Sequence, residues 1–217
     1  MAPPILYVGM DVHKDFVVIA VFQGRRQEPL LLERVPFDAH SRREELDQQI
    51  EALALTPAYQ PFVARLRCFR ALDTHSAMVL ATEVGDWRRF DHVEALMAYF
   101  GLVPSEHSSG DRRHLGAITK AGNSHCRHVL VQGAWSYRHR TALGTALRAR
   151  QRGQDPAVIA HAWKAQHRCY KLFHRIAAKR PSQIAAVAVA RELVGFLWAV
   201  MQEVRIEEEA VQEKHAA

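Results

Sequence analysis

Residues 30–57, LLLERVPFDAHSRREELDQQIEALALTP, contain the change of pattern that decides the fold. Up to Val35 the apolar residues run together as in a strand. From His40 onward Leu46, Ile50 and Leu53 recur at spacings of four and three, the period of one helix face, until Pro57 closes the segment. Upstream, residues 5–10 and 16–22 are apolar and β-branched and are split by a polar bend at 11–15, so with 30–35 they predict three strands in a meander. Downstream no long sheet resumes. The expected class is α+β, mainly helical: N-terminal strands over residues 1–37, a helical domain over 38–204, and a frayed acidic tail over 205–217. Three strands cannot bury both faces unaided, so they must pack on helices or on a partner.

Within the helical part, residues 61–69 and 74–84 read as two short helices joined by 70–73, with Asp73 or Thr74 as the N-cap of the second. The pair is similar to a helix-hairpin-helix, which offers backbone N–H groups to phosphate through a glycine-containing hairpin. Ala71 stands where that glycine is expected, and a plain packed pair explains the pattern equally well. Residues 93–100 predict another helix ended by Gly101. A polar stretch over 102–123 follows, with a β-ribbon near 114–120. Residues 124–139, 156–178 and 182–204 then predict three long helices.

The chain has 217 residues, 48% of them hydrophobic and 24% charged, which suits a folded core and excludes a disordered or low-complexity chain. Cys68, Cys126 and Cys169 are odd in number and far apart, so neither a disulfide framework nor a four-ligand zinc site is suggested and a reducing compartment is expected. The N-terminal residues lack a basic leader and the apolar runs are short for a bilayer, so the expectation is cytoplasmic. The net charge of +6 is unevenly spread: residues 105–180 hold 15 Lys and Arg against three acids, a net +12, leaving −6 elsewhere. Trp135, Tyr137, Trp163 and Tyr170 are interleaved with these cations. Charge that displaces counterions beside flat rings is what a nucleic-acid surface needs, although a solvated basic face has the same composition. Walker, GxGxxG and HExxH signatures are absent.

Asp11 ends an apolar run in VGMDVHKD, where a carboxylate can hold Mg²⁺ at a sheet edge or simply close a turn. Ser108 and Ser109 precede Gly110 and are followed by Arg112, Arg113, Lys120 and Arg127. A hydroxyl among such cations suits attack on a phosphodiester, and a Ser/Gly turn on a basic surface has the same spelling. His125, Cys126 and His128 form a ligand cluster only if a helix does not turn Cys126 away from the other two.

Several strings together are more specific than any of these: VGMDVHKD, ATEVGDWRRF, LMAYFGLVPSEHSSG, GAITKAGNSHCRHVLVQGAW, AHAWKAQHR and VAVARELVGFLWAV. Over about residues 37–202 and the first strands, the chain resembles the IS110/IS1111 insertion-sequence transposases. The resemblance implies a RuvC-like N-terminal domain whose four acids bind Mg²⁺, with Asp11 the first of them. It also implies a C-terminal domain whose serine, Ser109 or its neighbour Ser108, attacks a DNA phosphate to form a phosphoserine intermediate before strand exchange. Arg112, Arg113, Lys120, Asn123 and Arg127 would position phosphates. The implied partners are DNA at element ends and targets, in some members a guide RNA, and further copies of the chain or an intact transposase, in the nucleoid-associated cytoplasm of a prokaryote.

One departure from the family pattern stands out. The chain passes almost directly from the strand near Val35 to the helix at His40, without the middle of the RuvC-like domain that carries the remaining acids. Glu28, Glu33, Asp38 and Glu44 match none of them. The expectation is an internally deleted copy that binds Mg²⁺ poorly and is inactive alone; the alternative is a non-catalytic nucleic-acid-binding remnant that competes or assembles with an intact enzyme.

Overall fold

A computed structural model of the chain describes residues 6–12, 16–23, 31–36, 39–106 and 115–204. Two compact units divide it, Met1–Gln49 and Ile50–Ala217. The first unit holds β1 (Leu6–Val12), β2 (Phe16–Gln23) and β3 (Leu31–Pro36) as one antiparallel sheet in the order β1-β2-β3. This is the expected meander. Its register sets Asp11 opposite Val18 and Val18 opposite Arg34, with Met10, Ile19 and Glu33 on the next rung. The Arg34 guanidinium lies 3.4 Å from the centre of the Phe16 ring, a cation–π contact across the β2–β3 pair. Helix α1 (Ala39–Ala54) begins in this unit, and the division falls inside it rather than at the short link before it. Its exposed pairs Arg42–Glu45 and Arg43–Asp47 have the helical i,i+3 and i,i+4 spacing.

The second unit contains α2 (Gln60–Leu66), α3 (Thr74–Val84), α4 (Val93–Tyr99), the ribbon strands β4 (Pro104–Glu106) and β5 (Leu115–Ile118), α5 (Ser124–Ala134), α6 (Thr145–Gln151), α7 (Pro156–Ala177) and α8 (Ser182–Met201). Single 3₁₀ turns occupy Trp87–Arg89 and Trp135–Arg138. The protein is therefore α+β and mainly helical. Helix α8 is apolar on nearly all sides and forms the centre, packing on α7, α5, α4 and α2. Ala185, Val189, Leu193 and Leu197 are fully buried along it. By length and composition α8 could cross a membrane, but half of its apolar stretch is buried inside the helical body.

Helix α7 is amphipathic, with Val158, Ala162, Ala165, Cys169 and Phe173 inward. Asp155 caps it by accepting from the Ala157 N–H at 2.8 Å, and Pro156 takes the first helical position, where no N–H is needed. An Arg168–Glu192 ion pair at 2.6 Å links α7 to α8. The expected helix over 124–139 is shorter than its pattern: it ends at Ala134 and tightens into the 3₁₀ turn that buries Tyr137.

Asp73 is the cap of α3, accepting from the Ser76 N–H at 2.8 Å. The link between α2 and α3 is a packed element. Cys68, Phe69 and Leu72 are fully buried, Gln151 Nε2 donates to the Cys68 carbonyl at 2.8 Å, and the Arg150 guanidinium donates to the Leu72 carbonyl. Helix α6, which supplies both side chains, has no counterpart in the sequence-based expectations. The expected fraying tail, 205–217, lies outside the described residues.

Candidate nucleic-acid interface

Strands β4 and β5 pair antiparallel, Pro104 with Ile118 and Glu106 with Leu115, with a bulge between the two pairs. The residues joining them, 107–114, carry Ser108, Ser109, Arg112 and Arg113, and all four lie outside the described residues. What the structure describes is the frame from which this segment departs and to which it returns. Beside the ribbon lies a cleft of about 990 Å³ whose lining includes Met97, Pro104, Ile118, Leu172 and Val187, with Arg180 and Arg191 among its polar residues.

The loop following β5 is tied to the last residue of α4 and to the residues just after it. The N–H of Thr119 donates to Val103 O at 2.9 Å, that of Lys120 to Gly101 O at 3.1 Å, and that of Asn123 to Tyr99 O at 2.8 Å. Lys120 is exposed and holds a positive φ of 56°, unusual for a residue with a side chain. Gly122 has φ 88°, and a β-carbon there would lie 2.2 Å from the Tyr99 carbonyl, so both conformation and space require glycine.

Asn123 then caps α5. Its Oδ1 accepts from the Cys126 N–H at 2.9 Å, while Nδ2 donates to Glu83 Oε2 at 2.8 Å and to the Tyr99 hydroxyl at 3.4 Å. The Tyr99 hydroxyl in turn donates to the Glu83 carbonyl at 2.8 Å, and His125 Nδ1 donates to Glu83 Oε1 at 3.1 Å. Glu83 thus gathers the ends of α3, α4 and α5. The hydrogen bonds from Asn123 and His125 hold its carboxyl below the usual carboxylate range. Arg127 is half-buried and donates from NH1 to the Phe100 carbonyl at 2.9 Å.

The three described phosphate candidates therefore differ. Lys120 extends from a rigid loop, whereas Asn123 and Arg127 have polar atoms bonded within the fold. Glu83 and Tyr99 were missed by sequence reasoning. Their signal is only the neighbouring strings ATEVGD and LMAYFG, since the contacts span 24 and 40 residues. His125 and His128 are exposed while Cys126 is fully buried, its thiol pushed up to about 12 by burial and then by the Glu83 charge. Helix α5 separates these three groups.

Asp11 lies within β1, and neither residue on its rung, Val18 or Arg34, is an acid. Glu33 sits on the adjacent rung with Met10 and Ile19. Among the described residues no three His, Cys, Asp or Glu side chains converge. The Asp11 side chain lies outside what the structure describes.

Residues 64–149 match the model of the Transposase IS116/IS110/IS902 family. A Sinorhizobium fredii protein named as a transposase, y4qE, is 42% identical over 144 residues, covering 66% of this chain and 37% of the relative. A Pseudomonas aeruginosa protein named as a family 20 transposase is 29% identical over 156 residues, 72% of this chain and 39% of the relative. The transposase for insertion sequence element IS1533 of Leptospira borgpetersenii is 29% identical over 140 residues, 62% and 39% of the two chains. The matched part thus spans less than two fifths of each relative's length. The matched segment runs from α2 into α6, through the ribbon, the Lys120 loop and the Glu83 cluster, and by it this chain belongs to the IS116/IS110/IS902 family of transposases.

Proposed function

We propose that this chain is an internally shortened insertion-sequence transposase that binds DNA through the ribbon and the loop after it and presents Ser109 to a backbone phosphate. The observation that carries this reading is the rigid loop 119–123, which anchors Lys120 directly after the ribbon whose connecting residues hold both serines and two arginines. No acid occurs between Asp111 and Asp155, so phosphates approaching this stretch meet little local repulsion.

The chemistry is a phosphoryl transfer. The Ser109 oxygen, with Ser108 the alternative, attacks phosphorus; the bond to the leaving sugar oxygen breaks, that oxygen takes up a proton, and a serine–phosphate ester remains. The hydroxyl of a second strand then reverses the step on a new partner. Arg112, Arg113 and Lys120 neutralise the phosphate oxygens, while Asn123 and Arg127 hold the loop and α5 in place. No step is assigned to Mg²⁺ on this chain. An intact relative would supply the acids, and in family fashion a guide RNA, within a mixed oligomer.

Fluorescence anisotropy with labelled element-end duplex across a KCl series tests the binding. Binding should weaken steeply with salt, and Lys120→Ala should reduce the slope of log affinity against log salt by about 0.9. Salt-independent binding, or none, refutes the reading. The position of Asp11, without an acid on its rung, favours a second reading in which the chain occupies DNA but does not cut it. In that case Ser109→Ala leaves both binding and inhibition of an intact relative unchanged.

A further inference from the structure

The exposed face of α7 is a second cationic surface. Trp163, Lys164, His167, Tyr170, Lys171 and His174 recur at helical spacing on one side, opposite the buried Val158, Ala162, Ala165, Cys169 and Phe173. Trp163 is 41% exposed, a large apolar ring left in solvent among cations. Its ring lies 4.6 Å from that of His167, and Tyr170 lies 4.4 Å from His174.

Both imidazoles are held in place. His167 Nδ1 donates to the Trp163 carbonyl at 3.1 Å, and His174 Nε2 donates to the Arg138 carbonyl at 3.0 Å. The second contact sets the exposed Arg138, His139 and Arg140 beside one end of the stripe. Arg70 NH1 steadies that segment by donating to the Arg140 carbonyl at 2.8 Å. Helix α7 contains no acid, and among the described residues no carboxylate pairs with Lys164 or Lys171; Arg168, at the edge of the stripe, takes Glu192.

We infer that this face of α7 binds single-stranded DNA, with the backbone along Lys164, Lys171 and Arg138–Arg140 and a base on Trp163. The inference rests on the transposase reading above, since strand exchange exposes unpaired DNA. Duplex DNA hides its base faces, so an exposed indole between cations contributes most against an unpaired base, which has a free π-face. From Trp163 to His174 the stripe is about 16 Å long at 1.5 Å per residue, room for a few nucleotides. The aromatic ring also argues against an acidic peptide, which would use the cations and leave Trp163 without a role.

The test is anisotropy of labelled dT20, U20 and a duplex with the full chain and with Trp163→Ala, Trp163→Phe, Lys164→Ala/Lys171→Ala and Lys120→Ala, each verified as folded by circular dichroism. Trp163→Ala should weaken dT20 binding about tenfold, Trp163→Phe should recover most of it, and duplex binding should change less than twofold. The double lysine variant should reduce the salt slope for dT20 by about 1.4. If dT20 binding is unchanged in the α7 variants while Lys120→Ala weakens duplex binding, the inference falls and the transposase reading stands. If the unmodified chain binds neither DNA, both fall. Tenfold tighter binding of U20 than dT20, or displacement of dT20 by equimolar polyglutamate, also overturns the assignment.

Discussion

Asn123 Nδ2 lies 2.8 Å from Glu83 Oε2 while Asn123 Oδ1 caps the first turn of α5, so one amide closes a helix end and joins it to α3. Both functions are lost in Asn123→Ala. The expected cost is about 1–2 kcal/mol, the range for loss of a helix cap, read from the urea midpoint. Asn123→Asp keeps the cap acceptor but sets a second carboxylate against Glu83, and should be less stable at pH 7 than at pH 4.

Glu83 itself gives a pH signature. Its folded carboxyl is depressed by the bonds from Asn123 and His125. The stability it contributes is therefore complete above the unfolded carboxylate value of about 4.3 and is lost as the pH falls through the lower folded value. The melting-temperature advantage of the natural chain over Glu83→Gln should be present at pH 6 and shrink below pH 4. An advantage that grows on acidification would contradict the hydrogen-bonded arrangement.

At Gly133 the opposing pressures can be ranked. Alanine is the better helix former by roughly 1 kcal/mol, but a β-carbon at this position of α5 would lie 2.6 Å from the Ala71 carbonyl and 3.0 Å from its β-carbon. The link between α2 and α3 is anchored by the buried Cys68, Phe69 and Leu72 and has little freedom to retreat, so Gly133→Ala should be destabilising overall, by about 1–3 kcal/mol. Equilibrium unfolding in urea checks the sign.

The buried Gln166 side chain accepts at Oε1 from the Ala142 N–H at 2.7 Å and from Arg70 at 3.3 Å. Gln166→Leu leaves both donors without this acceptor. A loss of about 1–3 kcal/mol is expected, with faster amide exchange at Ala142 than at residues of α8.

Cys68, Cys126 and Cys169 are buried, and desolvation pushes their thiols up to about 11, 12 and 12. With so little thiolate, iodoacetamide at pH 8 should leave all three unmodified in the folded chain and label all three in urea, as read by mass spectrometry.

The sequence made local features legible. The polar breaks between apolar runs place the three strands, and Asp73, Pro156 and Gly101 mark helix ends that the structure shares. Helix α6 was hidden because its seven residues bury only Leu147 and Gln151, too few to display a period. The end of α5 was misread because Trp135 and Tyr137 continue the apolar pattern through a 3₁₀ turn. In the candidate interface, the Lys120 loop was legible as a polar, glycine-bearing break, but the Glu83 cluster was not. Its partners meet only when three helix ends converge, and no local spacing encodes that.

The central claim is that Ser109 lies in DNA-facing machinery completed by an intact relative. It is tested most directly by trapping protein covalently joined to labelled element-end DNA on a denaturing gel, with Mg²⁺ and host RNA present. An adduct of this chain should form only when the relative is added, and should vanish in Ser109→Ala. An adduct from this chain alone, or one that survives when both Ser108 and Ser109 are replaced by alanine, would contradict the account.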